Sequence, residues 1–527
     1  AIDNEVTISN ATVTGTIYGA YAVGQYAKES TTNNLIYNTY SNAEGNSVAI
    51  SGTSSVGGDV FGTLATGSAE GNSVEISDTS SVDGNVYGGF GMMGNAEGNS
   101  VTIEDEVSLT GTGKNVYGGY SVSGDVTGNS VEISTTGTVA STVYGGYLTG
   151  EQMEGDSTPG TASGNTVKVS NATATGTIYG AKIGESDGNG GFTGSGDATG
   201  NTVTIESGTI NNAVYGGQTA SGDANGNNII INGGTIEEAG GTTSVDLFAG
   251  ESKSGNANNN TVTMTAGTVA ANMIGGYSDS NSKDQTGTGT ANGNIVKISG
   301  GTVDGTVTGG QSRGTGSASG NQVTVSGTGA VTGMLIGGHA TGTGTADNNV
   351  LTIESGSIPI QVTAGLADGS SATGNTLNIA ISGGNSLGAA YAGHGQTDAN
   401  DNKVIMTSGT VGTVTAGYAV TGDASNNTVE MSSGTALAVI AAQSGEGKAT
   451  DNAVTMTGGS AEMVAGGYGA AGASGNDVTI SNAAAGSSDT TDAVWGGTSD
   501  KGDAVSNTVT ISGSDITGIV IGGKAQD

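Results

Sequence analysis

Along this chain, apolar and polar positions alternate in short bursts that recur in register. The first recurring box is Asn-x-apolar-x-apolar. It is anchored at Asn4, Asn46, Asn72, Asn99, Asn129, Asn165, Asn201, Asn227, Asn260, Asn294, Asn321, Asn349, Asn375, Asn402, Asn427, Asn452, Asn476 and Asn507. Its two apolar slots hold only Val, Ile, Leu or Met, as in Val101/Ile103 and Val509/Ile511, while the residue between them varies. Such alternation over a short run predicts a strand with one face inward.

The second box is apolar-Tyr-Gly-Gly-Tyr, as in Val116–Tyr120 and Val143–Tyr147, and it follows each first box. Later copies decay, to Val414-Thr415-Ala416-Gly417-Tyr418 for example, and Ile36-Tyr37-Asn38-Thr39-Tyr40 reads as an extra degenerate copy. Of 16 tyrosines, 15 fall at its second or fifth position once that copy is counted, and the only tryptophan, Trp495, falls at the second. A Gly-Thr-Val-like run separates the boxes, and a Ser-Gly-Asp-Ala-x-Gly-type turn leads to the next Asn. The anchors are 24 to 42 residues apart, the longer intervals carrying insertions after the second box.

Each repeat therefore reads as about three short strands joined by Gly, Asn and Ser turns. One repeat has too few apolar groups to bury a core, but stacked repeats place Val on Val and Ile on Ile. The predicted fold is all-β: a parallel β-helix, or β-solenoid, of about 18 coils. It is expected to be right-handed, from the usual hand of parallel crossovers, and to form one elongated domain over residues 1–527 with an irregular insertion at about 22–45. Eighteen coils at ~4.8 Å give a rod of about 85 Å. The Asn anchors are expected to stack into an amide ladder, beside glycines that permit unusual backbone.

Composition narrows the partners. The 527 residues include 101 Gly, 2 Pro and no Cys, with 47 Asp+Glu against 12 Lys+Arg, a net charge of -35. Such a charge repels phosphate backbones, so no nucleic-acid partner is expected. Without cysteine there is no disulfide, thiolate metal site or cysteine nucleophile. No run of 18 apolar residues exists, so no helix of this chain is expected to insert in a membrane.

The tandem Gly-Asn-Ser-Val-Glu-Ile-Ser (71–77), Asn-Val-Tyr-Gly-Gly-Tyr (115–120) and Ser-Gly-Asp-Val-Thr-Gly-Asn (123–129) resembles the passenger region of autotransporter-type surface proteins of Gram-negative bacteria. The resemblance runs from Asn4 to Gly523. It implies export through the outer membrane, an extracellular or cell-surface place, and a role as adhesin or stalk that contacts a host or neighbouring cell. Some such passengers carry a protease domain. The membrane barrel and signal peptide of that family are not among these residues.

Glu75, Glu132 and Glu430 occupy equivalent outward slots, where glycosidase-type solenoids cluster carboxylates, but Thr or Lys fills that slot elsewhere, so they read as solvated charge. Asp125, Asp197, Asp223, Asp423 and Asp503 share a turn position; calcium is conceivable there, and turn shaping is the simpler reading. His339 and His394 replace Tyr two coils apart, too far to share a metal ion, and no nucleophile elbow flanks them. A flat Thr array for ice is broken by Glu, Lys and Ile in the outward slots. Stacked Tyr rings would either face sugars or simply pack on one another. No enzyme, no cofactor and no catalytic, cofactor-binding or metal residue is expected, and the binding residues are unknown.

Two functions are carried forward. One is the surface adhesin or stalk, with contacts from inserted loops such as Leu148–Gly164 and Lys182–Gly200 or from a strand face. The other is a subunit that polymerises end to end into an extracellular filament, because a β-helix has an unpaired strand edge at each end. The irregular stretch Val23–Asn34 reads as a partial cap.

Overall fold

The structure, a computed structural model, describes residues 1–24, 26–28, 35–37, 40–111, 113–150, 159–186, 192–237, 246–279, 287–356, 361–382, 386–487 and 492–526. The described residues form strands and turns with no helix. The chain divides into two compact units, Ala1–Ala271 and Asn272–Asp527.

Each unit is a β-solenoid. In the first, nine Asn-box strands run from Glu5–Ser9 to Thr261–Met264, each paired in parallel with its equivalent one coil on. In the second, nine more run from Ile295–Ile298 to Thr508–Ser512 with the same pairing. Eight coil-to-coil steps in each unit make about 16 turns, close to the predicted number. The register puts Val48 on Val74, Val101 and Val131, all at most 1% exposed. Glu75, Thr102 and Glu132, the residues between, point outward, so the alternation read from the sequence is the inward and outward alternation of the strand.

Tyr-box strands such as Val86–Gly91, Asn115–Ser121 and Thr142–Leu148 stack in the same way. Short middle strands, Ser55–Val56 and Ser81–Val82 among them, join the two boxes.

Many coils have a fourth strand where three were expected. The turn after the Tyr box contains a two-residue strand, as in Ala43–Glu44, Ala69–Glu70 and Ala96–Glu97, stacked in register. Its first residue is buried in most such coils, giving a small-residue column of Ala96, Val126, Ala162 and Ala198 packed on Leu148 and Ile183. The segment reads as a turn because Gly and Asp surround it, yet its alanine closes the third side of the core. In the second unit the coils later shorten. There the middle strand and the Tyr box fuse into ten-residue strands, Ser386–Gly395, Thr410–Ala419, Thr435–Ser444 and Ser460–Gly469.

Ile36–Tyr40 is not an extra copy of the Tyr box in the stack. Leu35–Tyr37 does not join the parallel stack; it pairs antiparallel with Tyr26–Lys28 in an inserted hairpin. A similar hairpin joins Glu185–Ser186 to Phe192–Thr193. Parts of the predicted contact loops and of the predicted cap lie outside the described residues: 151–158 of Leu148–Gly164, 187–191 of Lys182–Gly200, and 25 and 29–34 of Val23–Asn34.

One backbone feature repeats without exception. The residue before each of the eighteen anchors is left-handed, with φ between 52° and 67°. Gly fills most of these places, as Gly71 and Gly128 do, and Asn, Asp or Ser506 fills the rest. Those residue types tolerate this conformation, and the sharp corner they make turns the anchor side chain inward.

Candidate functional site

Two rows of side chains define the chemistry of each coil, one inside and one outside. The inner row is the Asn anchors. Asn129 is fully buried, and its amide is fully used. Its Nδ2 donates to Asn165 Oδ1 at 2.9 Å and to the Ala96 carbonyl at 2.8 Å. Its Oδ1 accepts from Asn99 Nδ2 and from the Asn99 main-chain N–H, both at 2.9 Å. Two donors and two acceptor sites are all that an Asn amide has. The row runs Asn4 to Asn260 in the first unit and Asn294 to Asn507 in the second, always with the donor facing the later coil.

The Gly-Gly pair exists because of this row. A Cβ on Gly119 would lie 2.3 Å from Asn129 Cγ, and one on Gly118 would lie 2.5 Å from the Gly145 carbonyl oxygen. Where the second Gly is Thr63, its hydroxyl joins the row by donating to Asn72 Oδ1 at 2.8 Å.

The outer row lies on the Tyr-box strand, whose second and fifth side chains share one outward face. In the first unit it is a continuous stack of Tyr18, Phe61, Tyr87, Tyr117, Tyr144, Tyr179, Tyr215 and Phe248. Neighbouring ring centroids are 4.4 to 5.5 Å apart and no ring is tilted more than 19° from the next. Fifth-position rings close the side: Tyr120 meets Tyr117 edge-on at 5.2 Å, and Tyr147 meets Tyr144 at 4.9 Å. Burial pushes the Tyr117 phenol up to about 12, and pushes Tyr144, Tyr147, Tyr179 and Tyr215 upward as well. These rings pack on one another, so their faces are not open to a sugar.

Beyond Tyr147 the fifth position turns polar, through Lys182, Gln218 and Glu251 in register. Glu251 is 2% exposed and accepts from Gln218 and Lys253. The Lys182 ammonium sits 5.3 Å over the Tyr179 ring, and burial pulls its pKa down.

In the second unit the outer row is broken up. Tyr277 donates to Asp279 at 3.2 Å, and Arg313 reaches the same carboxylate at 3.4 Å. His339 pairs with Asp368 at 3.0 Å. His394 meets Tyr418 edge-on at 4.8 Å, and burial lowers its pKa. Leu366 stands between the two histidines in register, which keeps them two coils apart. Tyr468 donates to Asp500, and one coil on stand Trp495 and Thr498.

The other sequence candidates are dispersed. Thr102 separates Glu75 from Glu132 on the strand face, Glu132 pairs with Lys168 at 3.1 Å, and Glu430 pairs with Lys403 at 2.6 Å. The turn aspartates bond to the coil that follows. Asp125, Asp197, Asp223 and Asp423 each accept a main-chain N–H through Oδ1, from Thr161, Asp223, Asn256 and Lys448, at 2.7 to 2.9 Å. Asp503 contributes its main-chain carbonyl to Ala473. Sequence reasoning placed Trp495 on the outer row but gave it and Thr498 no role. The available signal was the sole tryptophan beside Ala465, where other coils carry Tyr, Phe or a β-branched residue.

No family model, curated protein or solved structure matches the chain. What the residues define is a class, the parallel β-solenoid.

Proposed function

We propose that the protein is a non-enzymatic extracellular scaffold, an adhesin or stalk of the autotransporter-passenger kind at a bacterial surface. The supporting observation is where its polar chemistry goes. The Asn anchors and the turn aspartates of successive coils are engaged by the neighbouring coil, so chemistry is distributed along the stack rather than gathered in one cleft. Such a stack holds an outer face in a fixed position, which suits presentation to another cell. The test is antibody labelling of intact against permeabilised cells of the source organism, followed by adhesion of beads coated with the chain. Labelling of intact cells with bead adhesion supports the reading; labelling only after permeabilisation overturns it.

End-to-end stacking into a filament is the second reading. It is favoured by the likeness of coils far apart along the chain. Glu5-Val6-Thr7-Ile8-Ser9 repeats as Thr508-Val509-Thr510-Ile511-Ser512, and the amide row faces its donors toward the later coil in both units. Electron microscopy over a range of concentrations decides it. Constant-width filaments with a strand repeat along the axis support stacking, and particles of unchanged size refute it.

A further inference from the structure

Among the described residues, three buried side-chain polar atoms have no hydrogen-bond partner: His394 Nδ1, Trp495 Nε1 and Thr498 Oγ1. All three belong to the outer row of the second unit. Trp495 and Thr498 lie on one strand, Asp492–Ser499, at the second and fifth positions, which in the first unit bring Tyr117 and Tyr120 into contact. Buried polar groups are paired as a rule, as the Asn129 amide is, so the unpaired Trp495 indole N–H and the unpaired hydroxyl of Thr498, a residue only 5% exposed, call for a partner.

The surroundings say what kind. Ala465 and Tyr468 stand in register on the preceding coil, and Ile521 and Lys524 on the following one. Neither second-position neighbour is aromatic, so the indole has no ring to stack on, unlike the eight rings of the first unit. The Asp500 carboxylate, held by the Tyr468 hydroxyl, follows Thr498 by two residues.

We propose that Trp495, Thr498 and Asp500 form a subsite for a neutral saccharide. A pyranose has an apolar face of C–H groups and a rim of hydroxyls. The indole supplies a flat apolar plate and one donor, the Thr498 hydroxyl donates and accepts, and the carboxylate accepts from a sugar hydroxyl. The net charge of -35 disfavours an anionic sugar. Both unpaired atoms are out of contact with solvent. Binding therefore requires the side chains over these atoms to move aside. The proposal names a ligand class for the adhesin reading but stands apart from it: binding in solution tests the subsite, and cell labelling tests the address.

Because Trp495 is the only tryptophan, its fluorescence reports this subsite alone. The full chain is titrated with chitotriose, cellotriose and maltotriose. The expected result is a saturable change in emission with at least one of them. Thr498→Val and Asp500→Asn, which keep the reporter, are expected to weaken binding by about tenfold each while leaving the circular dichroism unchanged. No saturable change with any of the three overturns the proposal. So does calorimetric binding that survives undiminished in Trp495→Phe and Thr498→Val, because the sugar then sits elsewhere.

Discussion

Asn129 donates both its side-chain and its main-chain N–H to one atom, Asn165 Oδ1, at 2.9 and 3.0 Å. Removing one such side chain orphans groups on both neighbouring coils, since Asn99 loses its acceptor and Ala96 its side-chain donor. Each buried group left without a partner costs about 1–3 kcal/mol, so Asn129→Ala is expected to cost about 3 kcal/mol or more. Asn4→Ala, at an exposed anchor with a single neighbour, is expected to cost about 1 kcal/mol. Hydrogen exchange resolved by coil reads the difference, because a solenoid opens locally rather than all at once. Equal protection in the two variants would remove the row from the account of stability.

The Gly-Gly pair gives a steric prediction. At Gly119 an added Cβ meets the buried Asn129 amide, whereas at Gly71 nothing lies within 4 Å and only the positive φ resists. Ala181 and Thr63 fill the equivalent place elsewhere, so small side chains fit after local adjustment. Gly119→Ala is expected to cost about 1–3 kcal/mol and Gly119→Leu clearly more. Gly71→Ala is expected to cost about 1 kcal/mol. Thermal melts of the three variants check the order.

The strand alternation is tested by two neighbours. Val101 is fully buried and Thr102 faces outward. Val101→Asp places an unpaired carboxyl among Val74 and Val131 and is expected to open the coil locally, with faster proteolysis there. Thr102→Asp, set between Glu75 and Glu132, is expected to cost no more than about 1 kcal/mol, well below the cost of Val101→Asp. A Val101→Asp variant as stable as the parent would mean that the inward face is misassigned.

Alkaline stability follows from the ring stack. Burial favours the neutral phenol and raises Tyr117 from 10.0 to about 12. A folded pKa above the unfolded value means that the stabilisation is fully present below pH 10.0 and is lost as pH rises toward about 12. Denaturation midpoints across that window are therefore expected to fall. Tyr117→Phe, which keeps the ring between Tyr87 and Tyr144, is expected to flatten the fall. An identical pH profile in the variant would show that the Tyr117 phenol is not what alkali attacks.

Much of this fold was legible because repetition multiplies a weak signal. One Asn-Ser-Val-Glu-Ile says little, but eighteen aligned copies assign the inward face, the parallel register and the amide row. What stayed hidden was whatever the repeat disguises. Ala96 and Ala162 sit in a turn-like context, and a two-residue strand is too short to show a period. Leu35–Tyr37 carries the letters of a Tyr box, and its antiparallel pairing depends on Tyr26–Lys28, which no neighbouring copy repeats. The difference between the two outer rows lay in the substitutions of Tyr by Thr, Ile, His and Trp, where a decaying repeat and a changed surface look alike.

The amide row also sets how such a protein can change its length. Each anchor needs only another anchor one coil away, so the natural step of insertion or deletion is a whole coil. Removing residues 402–426 would join Asp401 to Asn427 and present Asn375 with an Asn acceptor in place of the one it lost. Removing half as many would leave the amides facing strands of the wrong kind. A gene that drifts under that rule grows and shrinks by whole coils, whatever their length, as a chain does by its links.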